Sequence, residues 1–376
     1  VLGPPLRRRA LGVALGLVLD RLLGEPPDAW HPVAWFGTVM GRVEQRLYAD
    51  TRLSGAAYAL VGAGVGAGAG VLLDRLGRRL AGQRTHGTAE VAVLAGSVGV
   101  ACAGRMLRET SARIEDRLRA DDLDGARELL PWLVGRDPSG LDASGVAAAV
   151  VESLAENTVD AVVAPAFWGL VAGAPGVLAH RAINTLDAMV GHRSARYARF
   201  GTAAARLDDV MAWVPARVFA ALVATLPAVL APQDVIPAGV SPGGVARPVG
   251  EHRAPGRGGR PAARRSALGQ LRQVLSVVRR DAPAHPSPNS GVAESAVAAA
   301  LGVELGGPLR YGERVENRPR LGDGPRPDAG TITQTRQLVD QVEITAAVSC
   351  LLLAAVASTR TRRTRKTPAP TGMSPR

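Results

Sequence analysis

Lysine is nearly missing from this 376-residue chain: of 45 basic residues, only Lys366 is not an arginine. A glycine-rich loop ending in Lys-Ser or Lys-Thr is therefore excluded, and a P-loop NTPase with it. Any anion site must be built from arginine, backbone N–H groups or a metal ion. Aromatic residues make up only 3% of the chain. The net charge of +12 comes from scattered arginines with few aromatics for stacking, so nucleic acid, which needs stacking platforms as well as charge, is not an expected partner. The two cysteines, Cys102 and Cys350, stand apart in apolar stretches, which excludes a disulfide framework or a cysteine zinc site. Paired-histidine zinc motifs, a nucleophile elbow and internal repeats are also absent.

What is present is a 47% hydrophobic content carried by Ala, Gly, Val and Leu, with a mean hydropathy of only +0.08. Small apolar residues let membrane helices approach closely. The balance predicts an all-α, polytopic integral-membrane helical bundle with large polar helical segments. The clearest span is Leu53–Leu73, uncharged over 21 residues and long enough for a bilayer core. Its Gly62, Gly64, Gly66, Gly68 and Gly70 imply close packing. Shorter candidates are 91–104, 161–179, 218–233 and 344–359, two of them interrupted by Pro165 and Pro175, and by Pro227 and Pro232. Arg7–Arg9 ahead of an apolar run imitates a signal peptide, but no small-residue cleavage pattern follows, so the segment is read as retained. Residues 105–130 read as an exposed charged helix and 312–330 as a polar loop. Four regions result: a membrane-embedded part over 1–238, a disordered Gly/Pro/Arg-rich linker over 239–266, a second helical region over 267–359 and a basic disordered tail over 360–376. The positive-inside rule places that tail in the cytoplasm.

Four stretches carry chemistry. In "ESLAENTVDAVVAPAFW", Glu152, Glu156 and Asp160 recur every four residues and so share one helix stripe beside an apolar segment. Like charges there are costly unless paired or metal-bound. A divalent cation with phosphate oxygens would explain them; so would a solvated face paired with arginines. In "HRAINTLDAMVGHRSARYARFGTAAARLDDVMAWVPAR", His180, Asn184 and Asp187 fall at helical spacing. Arg181, Arg206, Asp208, Asp209 and Arg217 continue a polar run among small apolar residues, which suggests a lined cavity; Asp208–Asp209 would also serve as a helix cap, and His180 as a buried, hydrogen-bonded imidazole. In "HPSPNSGVAES", prolines hold an extended loop before Asn289, Ser290 and Gly291 open a helix, whose start offers N–H groups to an anion or forms an ordinary cap with Glu294. In "LDRLLGEPPDAWHPVAWFG", charged and aromatic residues mark a membrane-entry loop.

Together and in this order, the four stretches resemble the adenosylcobinamide-phosphate synthases of cobalamin biosynthesis, the CobD/CbiB family. The resemblance covers most of residues 10–312 outside the linker, which reads as an insertion. It implies an integral enzyme of the cell membrane that uses ATP to join adenosylcobyric acid to aminopropanol or its phosphate through an amide. It also implies an active site open to the cytoplasm and contact with other enzymes of the pathway. Amide formation from a carboxylate is most economically driven through an acyl phosphate, so ATP and Mg²⁺ are the expected cofactors. On that reading Glu152, Glu156 and Asp160 hold the metal, and Asp208 and Asp209 complete the site. Arg181, Arg206 and Arg217, with Asn184 and Asp187, meet substrate or phosphate, and the loop through Ser287, Asn289, Ser290 and Gly291 seats a phosphate. His31, His180 or His285 takes the amine proton. A transporter, which also uses intramembrane acids and broken helices, is the rival reading. A scaffold for cobalamin enzymes would need no clustered acids. Because ATP is cytosolic, 161–179 is expected not to cross the membrane but to re-enter or pack inside protein, leaving residues 155 and 190 on one side.

Overall fold

The computed structural model describes residues 4–83, 85–135, 137–192, 194–226, 267–311 and 314–364. The linker expected over 239–266 and the tail beyond 364 lie outside them. The described chain is an all-α bundle with one small hairpin. Its helices are α1 (Pro4–Leu23), α2 (Pro32–Leu47), α3 (Arg52–Leu80), α4 (His86–Ala101), α5 (Gly104–Arg119), α6 (Leu123–Leu129), α7 (Ala143–Thr158), α8 (Ala164–Leu186), α9 (Thr202–Thr225), α10 (Ala267–Asp281), α11 (Ser290–Leu301) and α12 (Ala329–Thr364). Among the described residues, four helical runs are long and apolar enough to cross a membrane: Arg52–Leu80, His86–Arg119, Ala143–Gly191 and Ala329–Ser358.

The third of these runs does not cross as one rod. In a straight helix, residues 160 and 184 would lie about 36 Å apart. Here the Asn184 side-chain amide donates to Asp160 at 3.1 Å. The reversal comes at Gly173, whose φ of 68° and ψ of −155° open the helix just before Pro175. A β-carbon would oppose that conformation. The break frees backbone carbonyls in an apolar layer, where orphan acceptors are costly. Arg9 supplies the donors, reaching Val171 O at 2.6 Å and Leu170 O at 3.3 Å. Each limb of this helical hairpin is about 20 Å long, short of the roughly 30 Å hydrocarbon core. Residues 155 and 190 therefore stand at the same end of the bundle, as the re-entrant reading requires.

The return limb is held by α3. A β-carbon on Gly62, Gly66 or Gly70 would lie 2.5 Å from Leu186, Leu178 or Pro175, whereas Gly64 and Gly68 face open space. Three of the five glycines read from the sequence thus make the interface and two do not. A second apolar cluster joins α1, α4, the hairpin and α12 through Val13, Leu17, Leu94, Val162, Val177 and Ala354.

The polar segments gather at one end. Residues 105–130, expected as an exposed charged helix, are α5 and α6 packed on α7, with Leu107, Ile114, Ala126 and Leu130 against Val146, Val150 and Leu154. The apolar residues of α5 form a stripe that the abundant arginines and acids obscure in the sequence. Residues 312–330, expected as a loop, contribute β2 (Arg314–Leu321), paired antiparallel with β1 (Leu305–Tyr311) and bulged between Gly306 and Gly307. The helix α12 continues through Thr364, past the expected start of the tail.

The ends of the bundle differ in charge. Arg8 and Arg78 both pair with Glu90, at 3.0 and 3.4 Å, at the end that holds the hairpin tip. The helix α12 packs Ile332 on the polar segments and Ala354 on the α1 cluster, so it runs from the acidic end to that basic end. The described end of α12, at Thr364, and the acids of α7–α9 consequently lie at opposite ends.

Candidate functional site

Two short π-helical turns set the site. Val159–Val163 follows α7 and presents Asp160; Asp187–Gly191 follows α8 and presents Asp187. Such turns shift the side-chain register of a helix and recur at functional sites. The hairpin brings both beside the start of α9. Asn184 then bridges two carboxylates, donating to Asp160 at 3.1 Å and to Asp208 at 3.3 Å. Around them lies a cavity of about 770 Å³ lined by Glu156, Asp160, Asp187, Asp208, Asp209 and Arg318, together with His192 and the loop Pro286–Ser290.

The third wall is the start of α11. Ser290 Oγ donates to Glu156 at 2.7 Å, Asn289 donates to Asp209 O at 2.8 Å, and Arg217 donates to Asn289 Oδ1 at 2.8 Å while lying over the Trp213 ring at 4.3 Å. The expected phosphate seat at this helix start is corrected by the geometry. The N–H groups of Asn289 and Ser290 donate to Ser287 Oγ, and that of Gly291 to Ser287 O. Gly291 serves close packing instead, since a β-carbon there would lie 2.6 Å from His285 Cβ. Nor does Glu294 close a capping box: it is buried, 3.8 Å from His285 Nε2.

Electrostatics at the cavity favour an incoming cation. Burial pushes the Asp208 carboxyl well above the usual carboxylate range, and the charges of Asp160 and Asp187 push it further. Burial also raises Asp209, against a hydrogen bond from Ser287 that lowers it.

Other expected residues are placed elsewhere. Glu152 shares the stripe of Glu156 and Asp160 but does not line the cavity. It is buried one turn away, and Oε1 accepts from Gly306 N at 2.8 Å, the N–H freed at the β-bulge. Glu152→Ala is accordingly expected to cost about 1–3 kcal/mol, the penalty for an unpaired buried donor, and to leave turnover per folded molecule intact. Thermal melting alongside an activity assay checks this. None of the three histidines lines the cavity. His31 caps α2, accepting from Val33 N at 3.2 Å. His180 is fully buried and neither ring nitrogen has a hydrogen-bond partner. His285 braces the loop through Nδ1 and Ser287 at 3.1 Å, and burial holds its pKa below the ordinary imidazole value. Arg206 is exposed away from the acids, and Arg181 faces a different cavity. The sequence reading missed Arg318, 3.5 Å from His285 Nε2, because its segment shows no strand alternation, and passed over His192, which lies within the second stretch but was given no role there.

Among the described residues no group of three or more His, Cys, Asp or Glu is arranged to hold a metal ion by itself. The three-carboxylate metal set of Glu152, Glu156 and Asp160 is therefore not assembled. Asp160 and Asp208, sharing one amide donor, fit instead the pattern of Mg²⁺, which takes one or two carboxylates and completes its shell with water and phosphate oxygens.

The comparisons with known proteins agree on one family. The family described as CobD/Cbib protein matches residues 13–339. A cobalamin biosynthesis protein CobD of Mycobacterium tuberculosis is 41% identical over 345 residues, covering 92% of this chain and 96% of that one. The protein of the same name in Sinorhizobium fredii is 34% identical, with 93% and 95% covered. That in Rhodobacter capsulatus is 37% identical, with 84% and 87% covered. No solved structure matches. With most of its length aligned and identities above one third, the chain belongs to the CobD/Cbib family.

Proposed function

We propose that this chain acts in cobalamin biosynthesis as an ATP-dependent ligase that joins aminopropanol, or its phosphate, to the carboxylate of adenosylcobyric acid. The observation that carries the reading is the Asp160–Asn184–Asp208 bridge, whose two carboxylates line a polar cavity, in a chain whose relatives are named for this pathway. When bound, Mg²⁺ would neutralise phosphate charge and orient it for transfer. Asp160 and Asp208 would hold it, and Asn184 keeps the two carboxylates in register. Glu156, fixed by Ser290, and Asp187 add negative potential that attracts the cation and the substrate's ammonium group. Arg318 offers the cavity a cation for a phosphate or propionate. With the histidines withdrawn, Asp209 takes the ammonium proton: it lines the cavity, and its raised pKa brings it closer to neutrality.

The test is purified, detergent-solubilised protein with Mg·ATP, adenosylcobyric acid and aminopropanol phosphate, each omitted in turn, with corrinoid products read by mass spectrometry. A new amide that requires ATP supports the ligase. Bound substrates without product would favour a carrier and remove the catalytic roles. The pH profile should follow the acids. A protonated carboxyl neither holds a cation nor accepts a proton, so activity is expected to fall on acidification at a pH above the usual carboxylate value of about 4. An acid limb at or below that value would contradict Asp208 and Asp209 as working groups.

Orientation follows from the fuel. ATP is cytosolic, so the acidic end faces the cytoplasm and the basic end faces outward. This runs against the positive-inside rule, which weighs short loops and counts little in long polar segments such as 104–142. Ala155 and Val190 are themselves buried, so cysteines are placed at the exposed Ala143 and Ala188, which flank the hairpin; both should react with an impermeant thiol reagent from the same, cytoplasmic side. Labelling of both from outside would deprive the ligase reading of its ATP.

A further inference from the structure

Arg181 belongs to the same motif as Asn184 and Asp187 but turns away from their cavity. It lines a separate cleft of about 280 Å³ between α2, α3, α4 and α8, whose walls include Val33, Phe36, Ala69, Val100 and Leu178. The guanidinium Nε is buried without a hydrogen-bond partner, and Nη1 reaches only Asn184 Oδ1, at 3.4 Å. The rim is apolar and open: Trp35 is 52% exposed, Val39 47% and Val65 45%. Arg181 sits one turn, about 5 Å, deeper along α8 than Asn184, and its long stem can carry the charge toward the interface. A cation at the back of an apolar cleft among membrane helices is costly without a counter-anion. Asp160 is within electrostatic reach of Arg181 but makes no ion pair with it within 4 Å, and takes its hydrogen bond from Asn184.

We propose that this cleft binds one anionic phospholipid, its phosphate on Arg181 and an acyl chain along the walls of α3 and α4. Charge complementarity selects an anion, and the apolar lining and lateral opening select one that carries a hydrocarbon chain. The cleft is too small and too apolar for a corrinoid or a nucleotide, which suit the 770 Å³ polar cavity instead. Because Arg181 touches Asn184, lipid occupancy also braces the amide that holds Asp160 and Asp208 in register.

Native mass spectrometry of the full chain in detergent, with phosphatidylglycerol or phosphatidylcholine added at equal concentration, tests the site directly. One phosphatidylglycerol adduct is expected to persist at least tenfold above the phosphatidylcholine adduct. Ala69→Trp, which fills the cleft from α3, should remove it, and Val39→Trp does so from α2 if the first variant fails to fold. Arg181→Gln should abolish the preference for phosphatidylglycerol while Arg181→Lys keeps it. Equal adducts of the two lipids, or an adduct unchanged by both tryptophans, would overturn the proposal. So would displacement of the lipid by millimolar inorganic phosphate, which would make Arg181 a site for a soluble anion.

Discussion

Asp160→Asn and Asp208→Asn are each expected to lower amide formation by roughly two to three orders of magnitude, the loss typical when one preorganised electrostatic group is removed. Both should leave the chain folded. The carboxamide keeps the shape of the carboxylate and can still accept from Asn184, which sits 3.1 Å from one acid and 3.3 Å from the other. What is lost is the charge that would hold Mg²⁺. Stability should move the other way for Asp208. Its folded pKa is raised, so the group stabilises the fold at low pH, and that contribution fades as pH rises through the raised value. At neutral pH the asparagine variant escapes this penalty and should melt higher than the wild type. A rise in melting temperature together with a collapse in turnover is the signature of acids kept for function. If Asp208→Asn melts lower and turns over normally, the pair is structural and the proposed metal position fails. Glu152→Ala is the contrasting case, since its carboxylate holds a backbone N–H and not the cavity.

Much of this site was legible because its chemistry is written in spacing. Intervals of four and three placed Glu156, Asp160, Asn184 and Asp187 on their stripes, and the prolines of 161–179 marked a segment unable to cross straight. The failures have physical causes. Helical spacing fixes which face a side chain shares but not what that face meets, so Glu152 was grouped with acids that it shares a stripe with and not a cavity. Two π-helical turns change the register after Thr158 and after Leu186, and nothing in the composition there signals them. Histidine invites a catalytic reading at any position, yet His31 spends its Nδ1 on a helix cap and His180 is sealed in packing. Arg318 depends on a hairpin whose strand contains Pro319 and is crowded with arginine, a poor strand signal. Orientation was the least legible property, because the arginines beside the hairpin tip and the ATP that the proposed reaction needs point to opposite ends of the same bundle.

The fold-back of the hairpin rests on α3, and Gly66 is one of the three glycines through which they meet. A β-carbon there would stand 2.5 Å from the Leu178 carbonyl oxygen and 2.7 Å from Ala182 Cβ. The first of these is backbone and cannot rotate aside. Gly66→Leu must therefore push α3 off the return limb, which carries Arg181, Asn184 and, past Leu186, Asp187. Overpacking commonly costs about 1–3 kcal/mol and more when the obstacle is main chain, a large share of the roughly 5–15 kcal/mol that a folded domain typically holds. Gly66→Leu is expected to abolish recovery of a monodisperse protein from detergent, and Gly66→Ala to fold but melt lower and turn over slowly as Asn184 moves from Asp160. Gly64→Leu, two residues away on the open face, should behave like the wild type, because nothing lies within 4 Å of its added carbon. Size-exclusion profiles and melting curves of the three variants decide the point. Equal tolerance at 64 and 66 would mean that α3 does not hold the hairpin, and the convergence of Asp160 with Asp208 would then need another cause.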